Sequence, residues 1–305
     1  MLNSIDPSGE QFLASLELLQ QRYNQAQEQV TSGLRILRPS DDPGALADLF
    51  QTRSDLARVN QIDQNLAGVK AEVDTAESTI ETALQLLDHA RTVGVQGAGT
   101  IQAGQDAALA PQVADVLQQL VGLSRTAVNG VFIFSGDQTG SPAYQLDPAS
   151  PTGVDRLITA KATRLIQDPT GVNFAIAKTA QDLFDHRDLS DNPAPDNVFA
   201  AVNNLQIALQ NGDQPGLVNA LDSLKTSQDY LNQQLAFYGS VQKRIASASD
   251  VAKKFETQLQ TTLGAEQDAD IPAAVTELTQ DQTHMNASLT IQGRRPTTSL
   301  FDFLK

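Results

Sequence analysis

The stretch His186-Arg187-Asp188-Leu189 comes nearer to reacting machinery than any other part of this sequence. In a phosphoryl-transfer loop of that spelling, the aspartate accepts a hydroxyl proton and an asparagine five positions later holds a metal ion. Here Asn192 follows Asp188 by four positions, no glycine-rich phosphate loop or strand lysine precedes it, and no Asp-Phe-Gly follows. The stretch therefore reads as a polar loop. His89, His186 and His284 lie far apart, and none belongs to a zinc-binding HExxH pair. Asn286-Ala287-Ser288 spells a glycosylation acceptor, but it falls inside an expected helix. No Ser–His–Asp set or carboxylate pair stands out among 36 acidic side chains, and the absence of cysteine excludes disulfides and thiolate chemistry. No catalytic, cofactor or metal site is expected, and the chain is not expected to be an enzyme.

What remains is a sequence built to pack. Hydrophobic residues make up 40% of the 305, aromatics only 5%, and Ala, Leu, Val and Gln favour helix over sheet. The net charge of −15 is unevenly spread: residues 1–40 and 241–305 carry 10 basic and 12 acidic side chains, residues 41–240 carry 11 and 24. Near-neutral ends can approach one another while an acidic middle stays solvated. No basic patch suggests nucleic acid, and no run reaches the ~20 apolar residues of a membrane span. The first dozen residues have neither a positive nor an apolar region of the kind a cleaved signal peptide needs. A cysteine-free chain also suits export in an unfolded state.

The elements announce themselves by heptad spacing. Phe12, Leu16, Leu19, Tyr23, Ala26, Val30, Gly33 and Leu37 alternate steps of four and three, the pattern of a coiled-coil seam. That helix is expected to stop near Arg38-Pro39. Ser40-Asp41-Asp42-Pro43 reads as a cap with proline in the first turn of a second helix over 42–93. Such a helix would be about 75 Å long. A third apolar stripe follows the glycine-rich run 94–104 and ends at Asn129-Gly130. Val131 to Phe134 and the pieces 154–166 and 172–177, set among Gly and Pro, predict a small β-rich insert. Helical spacing returns at 198–209 and in a long helix from Leu217 to Leu259, with a shift of the stripe at Tyr238–Val241. A last helix begins after Asp268-Ala269-Asp270 and carries Ile271, Val275, Leu278, Gln282, Met285 and Leu289.

The fold class expected is mainly α with a small β-rich insert, the terminal segments forming long antiparallel helices or a coiled coil. The expected divisions are 1–40, 41–130, 131–196, 197–264 and 265–305: terminal helix, helical half, insert, helical half, terminal helix. Residues 10–37 offer too few apolar side chains to offset about 1–2 kcal/mol per residue of backbone entropy. They must pair with the last helix or with another subunit, while the insert is expected to be dispensable for pairing.

Residues 29–49, QVTSGLRILRPSDDPGALADL, resemble the signature segment of the flagellin superfamily, in the form found in its hook–filament junction branch, the L-type hook-associated proteins. Residues 89–100, 129–144, 266–289 and 299–304 are similar to further family segments, in order and at the expected spacing. Gly94 departs from that pattern, where a helix former is usual, and Gly293-Arg294-Arg295-Pro296 departs near the end. The resemblance implies a flagellin-like fold and a structural, ring-forming adapter of the bacterial flagellum, extracellular and exported without a cleaved signal peptide. Its implied partners are other copies of itself, the neighbouring hook-associated protein, flagellin and an export chaperone, with no nucleic acid, membrane or cofactor. The assembly interface expected on this basis is Phe12, Leu16, Leu19, Tyr23, Val30, Ile271, Val275, Leu278, Met285, Leu289, Leu300 and Phe303. A filament flagellin is the alternative within the superfamily, and a secreted binding module acting through its insert is the alternative outside it.

Overall fold

A computed structural model describes residues 7–99 and 105–293. In chain order it contains α1 (Pro7–Ser32), α2 (Leu46–Ala98), α3 (Gln105–Ser124), β1 (Ala127–Val128), β2 (Val131–Phe132), β3 (Tyr144–Leu146), β4 (Val154–Arg156), β5 (Leu165–Gln167), β6 (Asn173–Ala175), α4 (Ala180–Phe184), α5 (Val198–Asn211), α6 (Gln214–Gln267) and α7 (Ile271–Gly293). The chain forms two units, one of residues 59–254 and one of residues 1–58 with 255–305. The expected divisions at 40 and 265 therefore fall inside the second of these, and the insert is no separate piece.

In the 59–254 unit α2 and α6 run antiparallel. Ser249 Oγ donates to Asp63 Oδ1 (2.7 Å), Gln242 Nε2 to Asp74 Oδ1 (3.0 Å) and Gln228 Nε2 to Asp88 Oδ1 (2.7 Å). Along the pair run two buried rows of strict seven-residue spacing: Leu66, Val73, Ile80 and Leu87 on α2, and Leu217, Leu224, Leu231, Tyr238 and Ile245 on α6. That is the seam of a left-handed helix pair. The stripe shift expected at Tyr238 does not occur. Ala220 and Ser227 fill the seam positions, and Leu221 and Leu235 stand half-buried at its flank. Helices α3 and α5 pack on one another over Val113, Val116, Leu120, Val202, Leu205 and Leu209. Gly94 lies within α2, whose end a side chain would disturb: a Cβ there would stand 2.9 Å from methyls of both Leu205 and Leu221.

Asn129-Gly130 does not end a helix. Both residues have positive φ (53° and 79°), and they turn a hairpin in which Val128 pairs with Val131 and Ala127 with Phe132. This is the type I′ geometry that Asn-Gly favours because it matches strand twist. Two further hairpins, β3–β4 and β5–β6, follow. Their side chains enter the main core. Phe184 stacks on Phe199 of α5 (5.8 Å) and meets Phe134 edge-on (6.1 Å), and Tyr144 packs on Phe199 (5.3 Å). Arg164 forms an ion pair with Glu72 of α2, and the Arg244 guanidinium of α6 lies 4.2 Å from the ring centre of Phe174. The insert is therefore part of this unit's core: excising 145–190 would strip partners from Phe134, Tyr144 and Phe199.

The candidate assembly surface and its joint

In the other unit the first and last helices, α1 and α7, meet. Gly33, at φ +75°, closes α1 six residues before Pro39, so the helix does not reach Arg38, and Leu37 lies beyond it, exposed. A residue without Cβ takes this left-handed C-terminal position at no steric cost. The freed Gly33 carbonyl accepts the Ala269 N–H (2.9 Å), and Leu34 bridges Asp268 in antiparallel fashion. Arg35 completes the joint. Its main-chain N–H donates to the Gln267 carbonyl (2.7 Å), Nη2 to the Glu266 carbonyl (2.7 Å) and Nη1 to Asp42 Oδ2 (2.9 Å). Arg53 Nη2 donates to Oε1 of the buried Gln267 (2.8 Å), and Ile36 is buried beneath.

Asp41 and Asp42 shape the turn, and α2 begins only at Leu46, three residues after the proline expected in its first turn. Asp41 Oδ2 accepts the N–H groups of Leu37 (2.9 Å) and Arg38 (2.7 Å), and Asp42 Oδ1 accepts that of Ala45 (3.2 Å). The Arg38 N–H above all holds the Asp41 carboxyl below its ordinary value, and the Arg35 guanidinium does so for Asp42. A depressed folded pKa contributes stability that is complete above the unfolded carboxylate value and is lost as pH falls through the folded one. Acid should therefore loosen this joint. The amide NMR shifts of Leu37 and Arg38 are expected to titrate with a midpoint below about 3.9; a midpoint at or above that value would contradict the geometry.

From this joint α1 and α7 run antiparallel. Asp270 caps α7 by accepting the Ala273 N–H (3.1 Å), as the acidic residues there suggested. Farther along, Arg22 Nη2 reaches Glu277 Oε1 (3.1 Å) and Asp281 Oδ1 (3.5 Å). Of the residues expected at an assembly interface, Phe12, Leu16, Leu19, Tyr23 and Val30 form the half-buried stripe of α1, with Ala26 fully buried among them. On α7, Leu278 and Met285 are half-buried, but Ile271, Val275 and Leu289 are 37%, 43% and 51% exposed. The single stripe expected on α7 is thus divided. Its inward face is Ala274, Leu278, Asp281, Met285 and Ser288, rotated from the expected one. Leu300 and Phe303 lie outside the described residues.

The His186–Leu189 stretch is a structural loop. Asp185, fully buried, accepts from Tyr144 Oη (3.0 Å), Arg187 Nε (2.8 Å) and Asn197 Nδ2 (2.8 Å). Burial above all, and then the Asp185 charge, push the Tyr144 phenol far up. His186 Nδ1 meets Asp196 at 2.7 Å, and Asp188 Oδ1 accepts the N–H groups of Ser190 and Asn192. Each residue of the apparent catalytic triplet has a side-chain bonding partner inside the fold. Sequence reasoning missed Asp185 because its partners come from positions 144, 187 and 197.

Residues 10–139 match the family model of the bacterial flagellin N-terminal helical region. Among solved structures, a protein of Vibrio parahaemolyticus assigned as a flagellar hook-associated protein aligns with 75% of this chain and 100% of its own at 17% identity (TM-score 0.64). Hook-associated protein-3 of Legionella pneumophila aligns over 71% and 98% at 11% identity (0.60), and FlgL of Bacillus cereus over 70% and 99% at 20% identity (0.56). The chain has the hook-associated-protein fold. No curated protein matches it in sequence. The joint just described is formed by the SGLRILRPSDDPG segment that carried the resemblance, and its physical task is to tie the end of α1 to the start of α7.

Proposed function

We propose that this chain is a structural, non-enzymatic subunit of the bacterial flagellum that forms a ring joining the hook, through a neighbouring hook-associated protein, to the flagellin filament. The carrying observation is the α1–α7 pair, whose seam is only half-buried within one chain. Ordering some 1–2 kcal/mol per residue of backbone on a half-covered stripe leaves a deficit. Other copies, and the like-built ends of flagellin, are the surfaces that cover it. A filament flagellin would use the same pairing. The proline-flanked RPSDDP turn and the shared fold of hook-associated proteins over their whole lengths favour the junction. The subunit reaches its place unfolded through the flagellar export apparatus, with a dedicated chaperone.

The test is a strain lacking the protein. It should complete hooks, release flagellin monomer into the medium and fail to swim, because flagellin ends then lack a preformed ring of helices on which to order. Normal filaments in that strain would refute the proposal.

A further inference from the structure

Helix α7 turns the poorer of its two faces toward α1. Its inward five include a carboxylate, an alanine and a serine; Asp281 is 1% exposed, with Oδ2 unpartnered and Oδ1 3.5 Å from Arg22. At ~100° per residue, turning α7 by about 60° would bring in Ile271, Val275 and Leu289 and return Asp281 to the flank. Burying apolar area and solvating a carboxylate would both favour that turn. Arg22 opposes it, for it bonds Glu277 and reaches Asp281 across the seam.

We propose that Arg22 and Asp281 select the face of α7 that its own α1 takes, and that this choice reserves Ile271, Val275 and Leu289 for a second copy of this chain. A buried polar pair in a helix seam is a known means of fixing which faces meet, at a cost in stability. The occupant follows from charge. Helix α7 contains no lysine or arginine, and its two carboxylates both lie at Arg22. A charged partner would find nothing to pair with there. A copy of this chain, with its net charge of −15, can approach another copy closely only where charge is thin, as it is here. The inference rests on the assembly reading for its occupant, but not for the choice of face.

The cysteine-free chain permits a direct test by mild oxidation of the full-length protein. Val30→Cys with Ala274→Cys should close a disulfide within one chain, and Val30→Cys with Val275→Cys should not. Val275→Asp should break the oligomer in sedimentation, and Gln280→Asp, on the far exposed flank of α7, should not. Adding Arg22→Asp, which sets three carboxylates together, should move the internal disulfide from position 274 to 275 and weaken the oligomer in sedimentation. The exchange Arg22→Asp with Asp281→Arg should restore the first pattern. An unchanged pattern in Arg22→Asp, or loss of both internal disulfides without rescue by the exchange, would overturn the selection. An oligomer that Val275→Asp leaves intact would overturn the occupant. Absence of any oligomer would sink the assembly reading, while the internal disulfides would still decide the face.

Discussion

Asp185→Ala is expected to destabilise the 59–254 unit by roughly 3–5 kcal/mol, the usual cost of breaking a buried pair by removing one partner. The carboxylate is fully buried and receives three side-chain donors. Its loss would take from the Arg187 guanidinium, only 16% exposed, one of its two acceptors at 2.8 Å, and leave the Tyr144 hydroxyl and an Asn197 N–H without partners. The damage would spread, since Asn197 also caps α5 through the Ala200 N–H and Tyr144 packs on Phe199. Urea unfolding followed by circular dichroism should show a markedly lower midpoint with little change in slope. Leu189→Ser, a change at a fully exposed neighbour in the same loop, should leave the midpoint within about 0.5 kcal/mol of the parent. Equal stability of Asp185→Ala and the parent would mean that the network is ornamental, and the polar loop would again be open to a functional reading.

How far the fold could be read from the sequence depends on what each position had to satisfy. The long pair of α2 and α6 was legible because each helix buries one continuous row, and only one spacing permits that. Where several apolar choices competed, spacing alone misled. Leu37 continues the α1 stripe by count, but Gly33, which sits at a seam interval, takes a left-handed turn first. Leu221 and Leu235 drew the eye away from Ala220 and Ser227, which occupy the α6 seam although they contribute little apolar area. On α7 the richest apolar face is not the buried one, because the bridge at Leu34–Asp268 and the reach of Arg22 act where hydropathy carries no information. Asn129-Gly130 carries a local signal for a two-residue hairpin turn between apolar pairs, but the same dipeptide also suits the end of a helix. The insert's place in the core was illegible for another reason: Phe134, Tyr144, Phe184 and Phe199 are separated by up to 65 residues, and only the folded chain brings them together. The joint was half legible. SGLRILRPSDDPG stood out as a signature, yet nothing in the string says that Arg35 bonds the carbonyls of residues 266 and 267.

Leu19→Asp is expected to abolish the junction while leaving the 59–254 unit folded. Leu19 sits mid-stripe on α1, half-buried, and the buried hydrophobic core of the larger unit contains no residue of α1 or α7. In the free chain the charge can remain at the water-facing side of a half-open seam, so the cost there is modest. In the assembled state that seam is covered, and an unpaired carboxylate on it costs several kcal/mol, about 1–3 from mutational data for a neutral polar group and more for a charge. The variant should therefore keep the parent's main thermal transition and be exported at parental levels. It should fail to support filaments when supplied to the strain lacking the protein. Leu278→Asp, on the facing helix, should behave alike, and Leu13→Asp, on the exposed flank of α1, is the control for charge alone. Two results would count against this account. If Leu19→Asp lowers the main transition, the terminal helices belong to the folding core and their half-burial signifies nothing about assembly. If it supports normal filaments with an unaltered transition, the α1 stripe takes no part in joining subunits, and the covering of that seam has to be sought elsewhere in the chain.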